Sequence, residues 1–125
     1  KNEEYISNNN YPVEATKFIK ANLNINKIKL YNEYNFGSYL LYNDIPVFID
    51  SRADLYDSKF NGLEDKIFED FINLSGACND YEEKFEHYGI THLIIYKDDT
   101  LLDLQGGNIM KFNQYSVAGY TLENR

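Results

Sequence analysis

The chain of 125 residues has no tryptophan, one cysteine, one methionine, two prolines and two histidines. A single thiol, Cys78, excludes an internal disulfide and any cysteine-based zinc site, which needs several ligands at close spacing. Cys78 therefore reads as a lone, half-buried thiol, and with no partner histidine in a recognisable order it is not a nucleophile. His87 and His92 are separated by a helix end, a glycine turn and a strand start, not by the i, i+4 step of a helical zinc pair, so both read as exposed or locally bonded. No run approaches the ~18 apolar residues of a membrane span. Basic residues are scarce, 12 against 20 acidic, and the resulting formal charge of −8 repels phosphate backbones and anionic surfaces. Nucleic acid is excluded as a partner on that ground. Gly106-Gly107 has no following Lys-Ser/Thr and Gly37 stands alone, so neither forms a phosphate loop, and no cofactor is expected.

What is present is enough to fold. The chain is 43% hydrophobic and 16% aromatic, the aromatics being 12 Tyr and 8 Phe, which rules out disorder and gives one domain with one core. Its wealth of Asn, Lys and Ile reflects an AT-rich codon bias.

Residues 1–10 are polar and Asn-rich and read as a linker. A helix opens at Tyr11-Pro12, capped by Asn10, with Ala15, Phe18, Ile19 and Leu23 at helical spacing. IKLYNEY, residues 28–34, alternates as a strand with Ile28 and Leu30 on one face. Asn35 is placed to cap a short helix through FGSYLLY, whose Gly37 permits close approach of a neighbouring backbone. Pro46 introduces a second strand, Val47 to Asp50, and a loop runs from Ser51 to Phe60. Asn61-Gly62-Leu63-Glu64 resembles a capping box before a helix with Leu63, Ile67, Phe68, Phe71, Ile72 and Leu74 inward. Asp80 caps a further helix that stops at Gly89, and THLIIY, residues 91–96, is a third strand. After an apolar turn at Leu101 to Leu104, the last segment folds as an antiparallel pair turning near Gln114 to Ser116. Residues 11–125 are thus expected to form a single α/β domain. It is a small layered α/β/α unit, its central sheet mostly parallel with an antiparallel C-terminal edge hairpin.

Parallel strands would gather Asn32, Tyr34, Asp50, Arg52 and Asp98 at their carboxyl ends, where open α/β sheets place ligands. The stretch VFIDSRADLY, residues 47–56, delivers most of these charges. One reading has Asp50 and Asp54, with Glu33 or Asp98, hold a hard cation or hydrogen-bond a polar substrate, while Arg52 grips a carboxylate or phosphate. The other has Arg52 pair with Asp50 or Asp54 and order the loop, with no metal bound. The Tyr-rich segment YNEYNFGSYLLY offers aromatic faces and amides suited to sugars, or a core face backed by a surface face.

Read whole, YPVEATKFIKANL, then KIKLYNEYNFGSYLLYNDIPVFIDSRADLY, then YEEKFEHYGITHLIIYKDDTLLDL resembles the extracytoplasmic C-terminal domain of bacterial multi-pass membrane proteins. These proteins are similar to dolichyl-phosphate-mannose protein mannosyltransferases, polytopic glycosyltransferases that use lipid-linked sugars. Asn32, Tyr34, Gly37, Tyr39 and Leu40 match the first part of the family pattern, and Phe48, Ile49, Asp50, Arg52, Asp54 and Tyr56 the second. Phe36 stands where the family usually has Trp, and Ser38 where it often has a second Gly. The resemblance implies a preceding membrane portion, to which residues 1–10 would link, and a place on the outer face of the cell membrane. The domain would not carry the reaction itself. Its partners would be the transmembrane part of the same polypeptide and a glycan or protein acceptor. Asn32, Tyr34, Gly37, Tyr39, Asp50, Arg52, Asp54 and Tyr56 would form an acceptor-facing edge or a conformational lock. Outside that resemblance, the residues leave open a small carboxylate- or metal-dependent enzyme and a protein-interaction module without catalysis.

Overall fold

The computed structural model describes residues 11–50, 62–101, 109–112 and 114–120, with the backbone alone for 62–65. The first helix, α1 (Val13–Asn22), follows Pro12, which sits at the cap position without a side-chain hydrogen bond; Asn10 lies outside the described residues. Ala15 and Ile19 are buried, and Phe18 and Leu23 pack at their flank, as their spacing requires. Strand β1 (Leu30–Asn32) is shorter than the alternation predicts, because Glu33 already opens a 3₁₀ turn, Tyr34–Phe36. That turn runs directly into α2 (Gly37–Tyr42), so Asn35 lies inside the turn rather than at a cap and no side chain caps either element.

Helix α3 (Gly62–Ser75) turns Phe71 and Leu74 into the core. Ile72, expected inward, is 52% exposed, because the helix packs along one stripe only and Ile72 lies outside it. The caps proposed at Asn61 and the loop from Ser51 to Phe60 lie outside the described residues. Asp80 occupies the cap position of α4 (Tyr81–Tyr88), but its carboxylate makes no cap bond and accepts from Lys84 Nζ at 2.9 Å instead. Gly89 ends α4 with φ +68°, a left-handed conformation that a side chain would strain. Strands β2 (His92–Tyr96), β3 (Ile109–Phe112) and β4 (Tyr115–Gly119) follow; the last two pair antiparallel as expected, but Tyr115 and Ser116, expected in the turn, already belong to β4.

The sheet order is β1-β2-β4-β3, with β1 parallel to β2 and the other pairings antiparallel. This is a small α/β domain with a mixed sheet and a C-terminal antiparallel hairpin. Alternation along the strands sends Tyr31, Leu93, Ile95 and Ala118 toward α3 and α4. Leu30, Ile94, Tyr115 and Val117 face α1 and α2. Helices therefore cover both faces, and β2 at the centre is buried throughout Leu93, Ile94 and Ile95.

The second expected strand is absent. Val47 to Asp50 does not enter the ladder, although Ile49 is buried and Phe48 packs on Tyr31 with ring centroids 5.3 Å apart. The apolar run marks burial beside the edge strand, not sheet membership, and the parallel part of the sheet is consequently the single β1/β2 pair.

Candidate functional site

At the carboxyl end of β1 stands Asn32, completely buried. Its Nδ2 donates to the Ile49 carbonyl at 2.9 Å and to the Glu33 carbonyl at 2.8 Å. Its Oδ1 accepts from Phe48 N at 2.8 Å and from Ile49 N at 3.4 Å. An amide has two donors and one acceptor oxygen with two lone pairs, and all of them are engaged with backbone. Asn32 thus replaces the ladder that segment 47–50 lacks and retains no group for a ligand.

Gly37 acts on the same segment from the other side. A Cβ on Gly37 would overlap the Ile49 carbonyl oxygen and lie 2.5 Å from Asp50 Cα, so only glycine lets α2 approach that backbone. The two halves of the motif, Asn32 with Gly37 and Phe48 to Asp50, form one interlocked unit. Phe36, where the family pattern has Trp, is fully buried and meets the edges of Tyr96 and Tyr115, each at 5.1 Å.

The other predicted residues are distributed around this lock. Tyr34 is half-buried with its ring 6.2 Å from that of Phe71. Tyr39 stacks on Tyr11 at 5.2 Å, while Tyr42 is 61% exposed, so the Tyr-rich segment divides into a core face and a surface face. Asp50 is half-buried next to Gly37, and Asp98 is exposed in the turn after β2. Arg52, Asp54 and Tyr56 lie outside the described residues. Among the described residues no group of three or more His, Cys, Asp or Glu side chains could hold a metal ion. His92 is half-buried with Nδ1 2.9 Å from Thr91 Oγ1, and burial pushes its imidazole down from its usual value. His87 is exposed on α4 against the Tyr88 ring. Cys78 is half-buried, and burial followed by the neighbouring Asp80 pushes its thiol up.

Two polar groupings escape sequence reading. On the same edge, the half-buried Glu33 accepts from Tyr96 N at 3.2 Å through Oε2. Burial, then Asp99, pushes Glu33 up to about 8. Between α3 and α4, the buried Asp70 accepts from the Tyr88 hydroxyl at 2.5 Å. Asp70 also lies 3.4 Å from Lys66 Nζ and 3.7 Å from Lys84 Nζ. The i, i+4 pairs Lys66/Asp70 and Asp80/Lys84 are visible in sequence, but their joining across two helices is a tertiary fact.

Among the described residues no helix is long and apolar enough to cross a membrane. Comparison of the chain with known proteins finds no matching family model, no matching curated protein and no matching solved structure.

Proposed function

We propose that this α/β domain is an accessory module on the extracytoplasmic face of a membrane glycosyltransferase-like protein, and that its sheet edge around Asn32, Tyr34 and Asp50 meets an acceptor glycan or protein. The observation that supports this reading is the interlock itself. The residues carrying the family resemblance come from two separated stretches, and they serve one device: Asn32 and Gly37 grip the backbone of Phe48, Ile49 and Asp50. A motif explained by backbone gripping is what a scaffold needs, because Asn32 is fully engaged in holding a segment and is not available for chemistry. The segment it fixes is followed in the chain by Arg52, Asp54 and Tyr56, the most polar part of the motif. Catalysis in this reading belongs to a membrane portion of the parent polypeptide.

The test is to read the coding sequence upstream of Lys1 in the same frame and then treat intact cells with protease. The expected result is a series of apolar spans of about 20 residues each, with this domain cleaved from outside. A start codon or a secretion signal directly before Lys1, or protection of the domain in intact cells, overturns the proposal.

A further inference from the structure

The formal charge of −8, which sets the chain as a whole against anionic surfaces, is unevenly placed in the fold. Helices α3 and α4 cover one face of the sheet through Phe71, Leu74 and Phe85, and α1 covers the other through Ala15 and Ile19. From Lys66 to Tyr88 the first of these layers has six acidic residues and two lysines. Both lysines are engaged by acids of their own layer, Lys66 by Glu69 and Asp70, and Lys84 by Asp70 and Asp80. From Ala15 to Asn32, by contrast, the chain has four lysines and no acidic residue.

Lys17, Lys20, Lys27 and Lys29 are all exposed, and among the described residues none of them forms an ion pair. Lys17 and Lys20 lie on α1 outside its buried stripe of Ala15, Thr16 and Ile19, and Lys20 is in the last turn. Backbone bonds fix the other two just beyond. The Asn24 carbonyl accepts from Lys27 N at 2.9 Å and from Ile28 N at 3.1 Å, and Asn24 Oδ1 accepts from Asn26 N at 3.1 Å. Lys29 N donates to Thr91 Oγ1 at 2.8 Å, and the Lys29 carbonyl accepts from Thr91 N at 2.8 Å. Ile25 and Ile28 pack on the same core cluster as α1, so this turn is held beside the carboxyl end of that helix. The exposed acids of the layer stand apart from it: Glu14 is in the first turn of α1, and Asp44 follows α2.

Distance decides whether a net-negative chain can present a positive face. A helix diameter of about 10 Å on each side of the sheet sets the two helix layers about 20 Å apart, against a screening length of about 8 Å at physiological salt. A charged plane against α1 therefore meets the lysines directly and the acidic layer only through about two screening lengths. We propose that the face made by α1 and the turn after it, centred on Lys20 and Lys27, docks on an anionic bilayer surface with α3 and α4 turned away. Charge complementarity selects an anionic partner, and the choice of a bilayer rests on the outer-face placement proposed above. The contact is one of headgroups with ammonium and amide groups, those of exposed Asn22, Asn24 and Asn26 included, because no large apolar side chain from Val13 to Lys29 is exposed. Each lysine at such a surface strengthens binding about five-fold.

The experiment sediments the chain with vesicles of phosphatidylcholine alone and of phosphatidylcholine mixed with phosphatidylglycerol, over a series of salt concentrations. Binding is expected to the anionic vesicles only and to fall as salt rises. Replacing Lys20→Gln and Lys27→Gln together is expected to weaken it about 25-fold. Lys66→Gln, on the acidic layer, is expected to leave it unchanged. All three lysines are exposed, so the variants keep the fold. Absence of binding to the anionic vesicles at low salt, equal binding to the neutral ones, or an equal loss in Lys66→Gln overturns the proposal. Tighter binding to double-stranded DNA than to the anionic vesicles overturns the bilayer as the partner. None of these outcomes bears on the membrane spans upstream of Lys1 or on protease access in cells, so the docking face and the accessory reading fail separately.

Discussion

Val47-Phe48-Ile49 and Leu93-Ile94-Ile95 are nearly interchangeable as sequence, yet the fold uses them differently. The second run is the middle of β2, fully buried and laddered to β1 on one side and β4 on the other. The first lies beside β1, the edge strand among the described residues, and both its Phe48 and Ile49 amides are bonded by one side chain, Asn32. A branched, apolar run thus reports burial and says nothing about ladder membership. The difference has a functional side, since a segment held by one side chain and one close glycine can be rebuilt without dismantling the sheet. A central strand cannot.

Mutations can break this contrast, and the largest effect belongs to the central strand. Ile94→Ala removes a fully buried side chain facing α1 and is expected to cost about 2–5 kcal/mol, read as a fall in the denaturation midpoint with all amides losing protection together. Gly37→Ala places a methyl against the Ile49 carbonyl and Asp50. Its cost should approach the top of the overpacking range, about 3 kcal/mol, with the perturbation concentrated at residues 47–50. Asn32→Ala leaves the Phe48 N–H and the Ile49 carbonyl without their partner and should cost about 2 kcal/mol, again local in hydrogen exchange. Tyr88→Phe, which strips the hydroxyl donated to buried Asp70, should cost about 1 kcal/mol by chemical denaturation. Lys66→Ala should cost less still, under about 1 kcal/mol, since Lys66 is 60% exposed and its attraction to Asp70 is screened.

Glu33 sharpens the comparison through pH. Glu33 is raised from 4.5 to about 8 in the folded chain, so the folded state keeps a proton that the unfolded chain has released. The stabilisation is complete below 4.5, declines as pH rises, and is lost as pH passes about 8. Wild-type Tm should therefore fall across that window relative to Glu33→Gln, a comparison that thermal melts in matched buffers make directly.

Much of the fold is legible in the sequence because it depends on local chemistry. The helical spacing of Ala15 and Ile19, the left-handed stop at Gly89 and the hairpin between Phe112 and Tyr115 are set by neighbours in the chain. Gly37 is legible as a point of close approach, but not what approaches it. The failures are tertiary. Val47 to Asp50 carries a strand's composition, and its exclusion depends on Asn32 offering a side chain where a ladder would run. Ile72 belongs to a wide apolar stripe of which α3 buries only one side. The bond of Glu33 to the Tyr96 amide and the Asp70 cluster join residues far apart in sequence, so no local pattern announces them. The candidate site was half visible: the residue types at the edge can be read, while the complete engagement of Asn32 with backbone can be read only from coordinates.

Native-state hydrogen exchange at Phe48, compared with Leu93 and Ile95 in the wild type and in Asn32→Ala, tests the central claim most directly. The account predicts that Phe48 is protected in the wild type and loses that protection in the variant, while the β2 amides keep theirs. Unchanged protection at Phe48, or its loss in step with Leu93 and Ile95, would contradict a lock made by one side chain.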